Sequence, residues 1–220
     1  MASRFGRRLM RVALGAGLVI ATLGGVASRC ESIPATRGWL DEVRGGFRMP
    51  AFAAIRRDLP MGTHPYLAVL PGAARSPAMA RVEPDPVKRE TLLNGSRVRI
   101  AMTPDYAHID DEAGVIVVSW WYYHLGADLH LYLDMLHELT HLRQLRDGAD
   151  LWDASRTYAQ RPTEIEGYCV AVEEGRRLGM SPAEVREHVH NPWMTDADVD
   201  GLLAAIDRMT ASAPAPAPAP

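Results

Sequence analysis

Apolar residues recur at helical spacing through residues 127 to 147. Four of them fall on one stripe of a helix: Leu131, Met135, Leu142 and Leu145. This stretch holds no proline, and glycine stands on either side of it, at Gly126 and Gly148. Gly148 is placed to end the helix, with the basic residues Arg143 and Arg146 in its last turns. The pattern therefore predicts an amphipathic helix over residues 127–147.

Shorter patterns predict the other elements of the fold. Alternating polar and apolar residues favour a half-buried strand at 97–102, and a β-branched and aromatic run favours a buried strand at 115–121. Apolar pieces among the upstream prolines indicate a helical turn at 52–55 and a strand at 66–70. Further helices are predicted at 85–93, 162–177, 181–190 and 196–209. Together these elements predict an α+β fold, with a small antiparallel or mixed sheet packed against helices.

The two ends of the chain differ from its middle. Arginines without any acid precede an uncharged apolar run over 12–27, so residues 1–27 are predicted to be a signal peptide, cleaved after Ala27, or an N-terminal membrane anchor. Proline-rich residues 28–80 are interpreted as a linker or N-terminal extension, and residues 81–210 as the folded domain. The Ala-Pro repeat at 211–220 predicts a disordered tail. The expected location is extracytoplasmic: secreted, periplasmic or anchored at the cell envelope.

Composition and charge narrow the classes of function. The 220 residues carry a formal net charge of -3, with 47% hydrophobic and 23% charged residues, which is typical of a soluble globular domain. Four N-terminal arginines account for four positive charges, so the remaining chain is near -7 (-3 minus 4). An acidic body does not suit a polyanion, so no nucleic-acid partner is expected. The two cysteines, Cys30 and Cys169, cannot form a disulfide framework.

The long predicted helix carries the sequence His137-Glu138-Leu139-Thr140-His141, an H-E-x-x-H motif. Residues four apart on a helix lie one above the other, so His137 and His141 can share one metal ion, at about 2.0–2.1 Å each for zinc. Glu138 lies about 100° further round, where it can take a proton from a metal-bound water. The motif thus predicts two ligands and a base. His130 lies two turns earlier, roughly 10 Å along the axis, too far to share the metal.

A third ligand is predicted on the next helix, where two carboxylates compete. The apolar residues of 162–177 centre on one side; Glu164 falls on the flank of that side and Glu166 almost opposite. A ligand must face the first helix, so Glu164 is the better candidate and Glu166 is expected to be solvated. The small residues Gly167 and Ala171 would let the two helices pack closely. The predicted metal ligands are therefore His137, His141 and Glu164.

An H-E-x-x-H motif followed by a glutamate on a second helix resembles the gluzincin metallopeptidases. Residues 164 to 171 read as E-x-x-(small)-x-x-(apolar)-A, most similar to the ImmA/IrrE-type group of small zinc peptidases, and the resemblance covers about residues 115–179. It implies a zincin-like fold, with His137, His141 and Glu164 as Zn2+ ligands and Glu138 as the catalytic base. The small residue of that group is usually alanine, whereas this chain has Gly167. Those relatives are mostly intracellular, whereas this chain begins with an export-like segment.

The expected function is that of a zinc-dependent metallopeptidase that hydrolyses the amide bonds of a peptide or protein, with possible membrane association through the N-terminal segment. An oxyanion-stabilising donor should exist, and Tyr158, Tyr168, His188 and His190 are the candidates. The aromatic run at 120–123 is expected either to line the cleft beside a peptide-pairing strand at 115–121 or to belong to the core. The alternatives are a catalytically inactive, metallopeptidase-like binding or scaffold protein, or an accidental motif without metal.

Overall fold

The structure is a computed structural model that describes residues 49–212 of the chain. Its strands are β1 (Gly62–Pro65), β2 (Arg97–Ala101), β3 (Ala107–Asp110) and β4 (Val115–Ser119). Its α-helices are α1 (Tyr66–Val69), α2 (Met79–Val82), α3 (Pro86–Gly95), α4 (Trp120–Leu125), α5 (Asp128–Arg146), α6 (Pro162–Arg177), α7 (Pro182–Val189) and α8 (Asp196–Ser212). Single 3-10 turns cover Ala51–Ala53, Ala73–Arg75 and Tyr158–Gln160. The predicted α+β class is confirmed.

The sheet is mixed, and its strand order is β1-β2-β4-β3. β1 runs antiparallel to β2, β2 runs parallel to β4, and β3 runs antiparallel to β4. β4 therefore has a partner on both sides, which accounts for its run of buried β-branched residues. The expectation that residues 115–121 offer an open edge to a peptide is wrong. In the described chain the open edges of this sheet are β1 and β3.

Two stretches form helices where the sequence predicts strands. β4 ends at Ser119, whose hydroxyl accepts the Tyr122 N–H at 3.1 Å and caps α4, so Trp120 and Trp121 are helical. Residues 66–69 form α1, while the strand lies just before them, as β1. Tyr66 is fully buried and its hydroxyl donates to the Met135 carbonyl on α5 at 3.1 Å. A local cap therefore overrides the β preference at Trp120 and Trp121, and a contact distant in sequence overrides it at residues 66–69.

Residues 49–80 belong to the folded domain, in contrast to the predicted linker. This part of the chain supplies fully buried side chains to the common core: Ala53, Tyr66, Val69, Leu70, Ala73 and Met79. The predicted boundary at residue 81 falls inside α2. Prolines made this stretch look like a linker, yet they only divide it into short elements, and each of the short helices and 3-10 turns places one or two apolar side chains in the core.

The middle of the central helix α5 is buried on all of its faces. Every residue from Met135 to Leu142 is buried, because the sheet covers one side and α6 covers another. The expected single apolar stripe is therefore too narrow a description of α5. Gly148, at φ +83°, ends the helix as predicted: its N–H donates to the Leu145 carbonyl and that of Ala149 to the Gln144 carbonyl.

The C-terminal elements pack over α6 much as predicted. α7 begins with a capping box between Ser181 and Glu184, and α8 buries Val199, Leu202 and Ile206. No helix within residues 49–212 is both long and apolar enough to cross a bilayer. The predicted signal or anchor at 1–27, and all of the Ala-Pro tail except Ala211 and Ser212 of α8, lie outside the described residues.

Candidate metal centre

His137, Glu138 and His141 lie in the buried middle of α5. The two histidines are one turn apart, their ring centroids are 4.5 Å apart, and each side chain is only 7% exposed. Helical periodicity directs both imidazoles to the same side, toward α6. Burial on all sides leaves these rings little conformational freedom. The motif is thus part of a packed core that holds both Nε2 atoms near one point.

Glu164 reaches the same point from the first turn of α6. Its Oε2 atom lies 3.4 Å from His137 Nε2 and 3.5 Å from His141 Nε2. Two ligands held about 2.0–2.1 Å from a tetrahedral ion lie about 3.4 Å from one another. One ligand atom from each of the three residues falls within a common span of 4.8 Å. The structure therefore brings together the three residues that the sequence predicts as ligands.

The chemistry of this group suits a divalent cation. Glu164 Oε2 is buried and has no hydrogen-bond partner among the described residues, and the same is true of Glu138 Oε2. Leaving a buried carboxylate without a partner is costly unless a cation or hydrogen-bond donor compensates it. Two imidazole nitrogens and one carboxylate oxygen form a donor set that accepts zinc. The residues present therefore fit a bound metal ion.

Burial and mutual charge shift the protonation of the group. Burial acts to raise the pKa of Glu164, but the neighbouring imidazoles outweigh it and hold that pKa well below the ordinary value of 4.5. Burial acts to lower the pKa of His141, but its interaction with Glu164 prevails and raises that pKa to about 9. In the metal-free protein a proton on His141 thus compensates the carboxylate. A metal ion would take the place of this proton.

Glu138 has the environment expected of a base. Burial raises the pKa of Glu138 above its ordinary value of 4.5; the two imidazoles oppose this shift, and the charges of Glu164 and Asp134 add to it. A carboxylate with a raised pKa is better able to accept a proton near neutral pH. Its position next to His137 places it beside the predicted metal position.

Gln144 orients His141, and the sequence reasoning missed it. Its Oε1 accepts the N–H of His141 Nδ1 at 2.7 Å, so that Nε2, once it has lost its proton, directs its lone pair at the predicted metal position. Gln144 Nε2 in turn donates to Glu166 Oε2 at 2.7 Å and to the Thr163 carbonyl. The signal available in the sequence was an amide three residues after the second histidine, on the same face of the helix.

Glu166 does not reach the three-residue group. Its side chain is 38% exposed and pairs with Arg143 at 2.5 Å, besides accepting from Gln144. The prediction that Glu166 faces away from the ligand position is therefore consistent with the structure. Its role is nevertheless more than solvation, because it holds the amide that orients His141.

Gly167 lies directly against His137. A Cβ atom at this position would lie 3.0 Å from Cε1 and Nδ1 of His137, closer than ordinary van der Waals contact. The predicted close approach of the two helices is present at this residue. Glycine at position 167 therefore leaves room for the His137 ring, which the Cβ of an alanine would crowd.

Two tyrosines border the group on the side of α6. The Tyr158 and Tyr168 hydroxyls are 3.0 Å apart, Asn191 Nδ2 donates to the Tyr168 hydroxyl at 2.8 Å, and the Tyr168 ring packs on His137 at 4.4 Å. Burial raises the pKa of both phenols, and the charge of Glu164 raises it further. Both hydroxyls therefore keep their protons and can donate hydrogen bonds at physiological pH.

A second histidine cluster lies earlier on α5. His130 Nδ1 and His188 Nδ1 are 3.1 Å apart, and His188 Nε2 is 3.7 Å from Asp134. The hydroxyl of Tyr122 donates to Asp134 as well. Both ring nitrogens of His188 thus face side chains of this second cluster, and His188 is not part of the three-residue group. His190 is exposed at the end of α7.

Comparisons of the chain with protein-family models, with curated proteins and with solved structures returned no match. The function is therefore inferred from the geometry of the site.

Proposed function

We propose that the protein is a zinc-dependent metallopeptidase that hydrolyses peptide bonds. The observation that supports this most directly is the convergence of His137, His141 and Glu164 in a buried position next to an unpartnered oxygen of Glu138. Three protein ligands leave a tetrahedral ion one open position, which distinguishes a catalytic site from a closed structural one. The zincin-like arrangement and the likeness to the ImmA/IrrE-type gluzincins form part of this proposal.

Glu138 is the proposed general base. A zinc ion in this position supplies Lewis-acid chemistry, because it acidifies water and polarises a carbonyl group. Glu138 takes the proton of the attacking water and then delivers it to the leaving amine. The raised pKa of Glu138 suits both transfers, since the same carboxyl must accept and release a proton.

Tyr158 is the proposed donor to the developing oxyanion. Asn191 donates to Tyr168, so the Tyr168 hydroxyl can donate to Tyr158 and leave the Tyr158 O–H directed at the substrate carbonyl. The Tyr158 hydroxyl lies 3.0 Å from that of Tyr168, whose ring packs on His137 with a centroid distance of 4.4 Å. Tyr158 is therefore the residue that we favour among the four candidates left open by the sequence.

The edge strand β3 is the proposed support for an extended peptide. β3 contacts α5 and has β4 as its partner on one side, which leaves its other edge available for backbone pairing. Just before this strand, Tyr106 packs edge-on against Tyr122, whose hydroxyl donates to Asp134, one helical turn before Glu138. A peptide paired with β3 would therefore run along the helix that carries the motif.

Metal analysis combined with Glu138→Gln tests the proposal. Purified protein should contain about one equivalent of zinc, and the variant should keep the metal while hydrolysis of a casein-derived peptide mixture falls by about 10²–10⁴-fold. The variant preserves the shape of the side chain and removes only its basicity. Bound zinc without hydrolysis by either form would favour the scaffold alternative, and failure to bind zinc would end the enzyme hypothesis.

The extracytoplasmic location remains a proposal that depends on residues 1–27. It is tested independently by fractionating cells that express the full chain, and cleavage after Ala27 would appear as a new N-terminus in the mature protein.

A further inference from the structure

Trp193 is an exposed indole on the loop between α7 and α8. Its side chain is 52% exposed, whereas the next residue, Met194, is buried at 7%. A lone exposed tryptophan on a protein surface needs no explanation by itself. What distinguishes Trp193 is the set of contacts that fixes the loop and connects this ring to the metal centre.

The loop is held by hydrogen bonds on both sides of Trp193, and on the Asn191 side these bonds join it to the candidate site. Asn191 donates to the Tyr168 hydroxyl at 2.8 Å and accepts the Met194 N–H at 2.9 Å through its own carbonyl. Thr195 and Asp198 form reciprocal hydrogen bonds that begin α8. The position of the indole is therefore determined by neighbours on either side, although within residues 49–212 no side chain covers its outer half.

Aromatic contacts lead from this indole to a predicted metal ligand. Trp193 packs edge-on against Tyr158 at 5.7 Å and 87°, Tyr158 lies 6.3 Å from Tyr168, and Tyr168 lies 4.4 Å from His137. We name Trp193, Tyr158 and Tyr168 the aromatic row. It begins at the metal centre and ends in an indole that is half exposed to solvent.

The length of the aromatic row matches the scale of a peptide. An extended chain advances about 3.3 Å per residue, so Trp193 lies within reach of a side chain one to a few positions from the bond that would be cleaved at the metal. Edge-on and stacked aromatic contacts favour an aromatic or large aliphatic guest over a small one. The exposed end of the aromatic row, the Trp193 indole, thus offers an apolar surface to a substrate side chain.

Charge gives no reason to prefer a basic guest. Exposed indoles also bind cations, and the carboxylates of Glu164 and Glu138 lie at the candidate metal centre, where the aromatic row begins. A divalent ion at the centre would offset these two negative charges, however. Glu164 and Glu138 would then give no reason for lysine or arginine to bind at the aromatic row.

We propose that Trp193, together with Tyr158, forms a specificity subsite for an aromatic or large aliphatic side chain of the peptide substrate. This inference rests on the proposed metallopeptidase function. Trp121, which is similarly exposed at 45%, packs on Trp120 at the start of α4 and is not part of the aromatic row. It provides a matched control.

Peptide hydroxamates that chelate zinc test the subsite without requiring turnover. The probes are tri-alanine hydroxamate, three analogues with phenylalanine at one position, and three with lysine, titrated calorimetrically into the zinc-loaded full chain. One phenylalanine analogue should bind about tenfold more tightly than tri-alanine hydroxamate, the effect expected from partial burial of an aromatic side chain. Trp193→Ala should reduce this preference to within about twofold. Trp193→Phe should retain much of it, and Trp121→Ala should leave it unchanged.

The outcomes separate the subsite from the metal centre. Three results would overturn the subsite: equal binding of all probes to the wild type, a preference for lysine, or a phenylalanine preference that survives Trp193→Ala. In each case binding of tri-alanine hydroxamate would still show that the metal is accessible. Absence of binding by every hydroxamate to zinc-loaded protein would instead overturn the open catalytic site, and the subsite with it.

Discussion

Helix α5 carries two clusters that share a composition and differ in geometry. Each contains two histidines and one acid. The first joins His137 and His141, in the middle of α5, to Glu164 of α6, and the second joins His130 and Asp134, nearer the start of α5, to His188 of α7. In the first cluster the two Nε2 atoms approach one carboxylate oxygen at 3.4 and 3.5 Å. In the second, the two Nδ1 atoms face each other at 3.1 Å, and Asp134 lies beside the opposite nitrogen of His188.

This difference shows why residue types alone do not define a metal site. Three lone pairs that converge can share a cation, whereas two ring nitrogens at hydrogen-bond distance satisfy one another. The first cluster converges because its histidines are four residues apart on one helix and the carboxylate comes from the facing helix. The second joins α5 to α7, so its geometry serves packing between those helices.

The largest expected difference between the two clusters is in zinc binding after one imidazole is removed from each. His137→Ala should lower zinc affinity by on the order of a thousandfold or more and abolish hydrolysis, because one of three ligands is lost. His130→Ala should retain about one equivalent of zinc, since that ring is not among the ligands. Zinc content after dialysis against a weak chelator measures both. Loss of zinc from His130→Ala, with none from His137→Ala, would reverse the assignment of the two clusters.

Zinc affinity should depend on pH through His141. With the pKa of His141 raised to about 9 in the metal-free protein, zinc must displace a proton below that pH. Affinity should therefore rise about tenfold per pH unit between pH 7 and 8.5, and competition with a chelator of known affinity would measure it. A pH-independent affinity would show that His141 binds no proton in the free protein.

Protonation of His141 should also make the folding stability of the metal-free protein fall as the pH rises, the opposite of the trend in zinc affinity. A folded-state pKa raised from 6.5 to about 9 contributes stability that is complete below pH 6.5 and is lost as the pH rises through 9. Metal-free protein should thus lose this contribution over the interval in which zinc binding strengthens. Thermal unfolding of metal-free Glu164→Gln serves as the control, because neutralising the partner of His141 should flatten the trend.

The first cluster differs from the second in having Gln144, which orients the proposed ligand His141. Gln144→Ala should weaken zinc binding by about 10–100-fold, the usual effect of removing the hydrogen bond that fixes a ligating histidine. Gln160→Ala, an exposed glutamine in the turn before α6, is the matched control and should change nothing. Competition titrations of both variants decide the matter. Equal affinities in the two would mean that packing alone orients His141.

Gly167→Ala gives the smallest effect and separates stability from metal binding. An added Cβ would lie 3.0 Å from His137, so the ring must shift by a few tenths of an ångström, and zinc affinity should fall by a few fold. Alanine in place of glycine also favours the helix by about 1 kcal/mol. Gly201→Ala in α8, which has nothing within 4 Å, should show the stabilisation without the loss of affinity. Thermal unfolding and chelator competition separate the two contributions.

Prediction from sequence succeeded where a signal was local and strong. The helices at 127–147 and 162–177 were bounded by Gly148 and Pro162, and the structure places them at Asp128–Arg146 and Pro162–Arg177. It failed at Trp120 and Trp121, where a single serine cap outweighed β propensity. It also failed over residues 49–80, where the core contribution of each short piece was too small to be recognised without its partners.

By itself the sequence determined the spacing of His137 and His141, the separation of Glu164 from Glu166 by helical periodicity, and the ends of the two helices that carry them. These are properties of one helix at a time. Only the tertiary structure decided that Glu164 meets both imidazoles, that Gln144 orients one of them, and that β3 rather than β4 is an open strand. Each of these depends on how separate elements pack, and packing is set by contacts between residues that lie far apart in the chain.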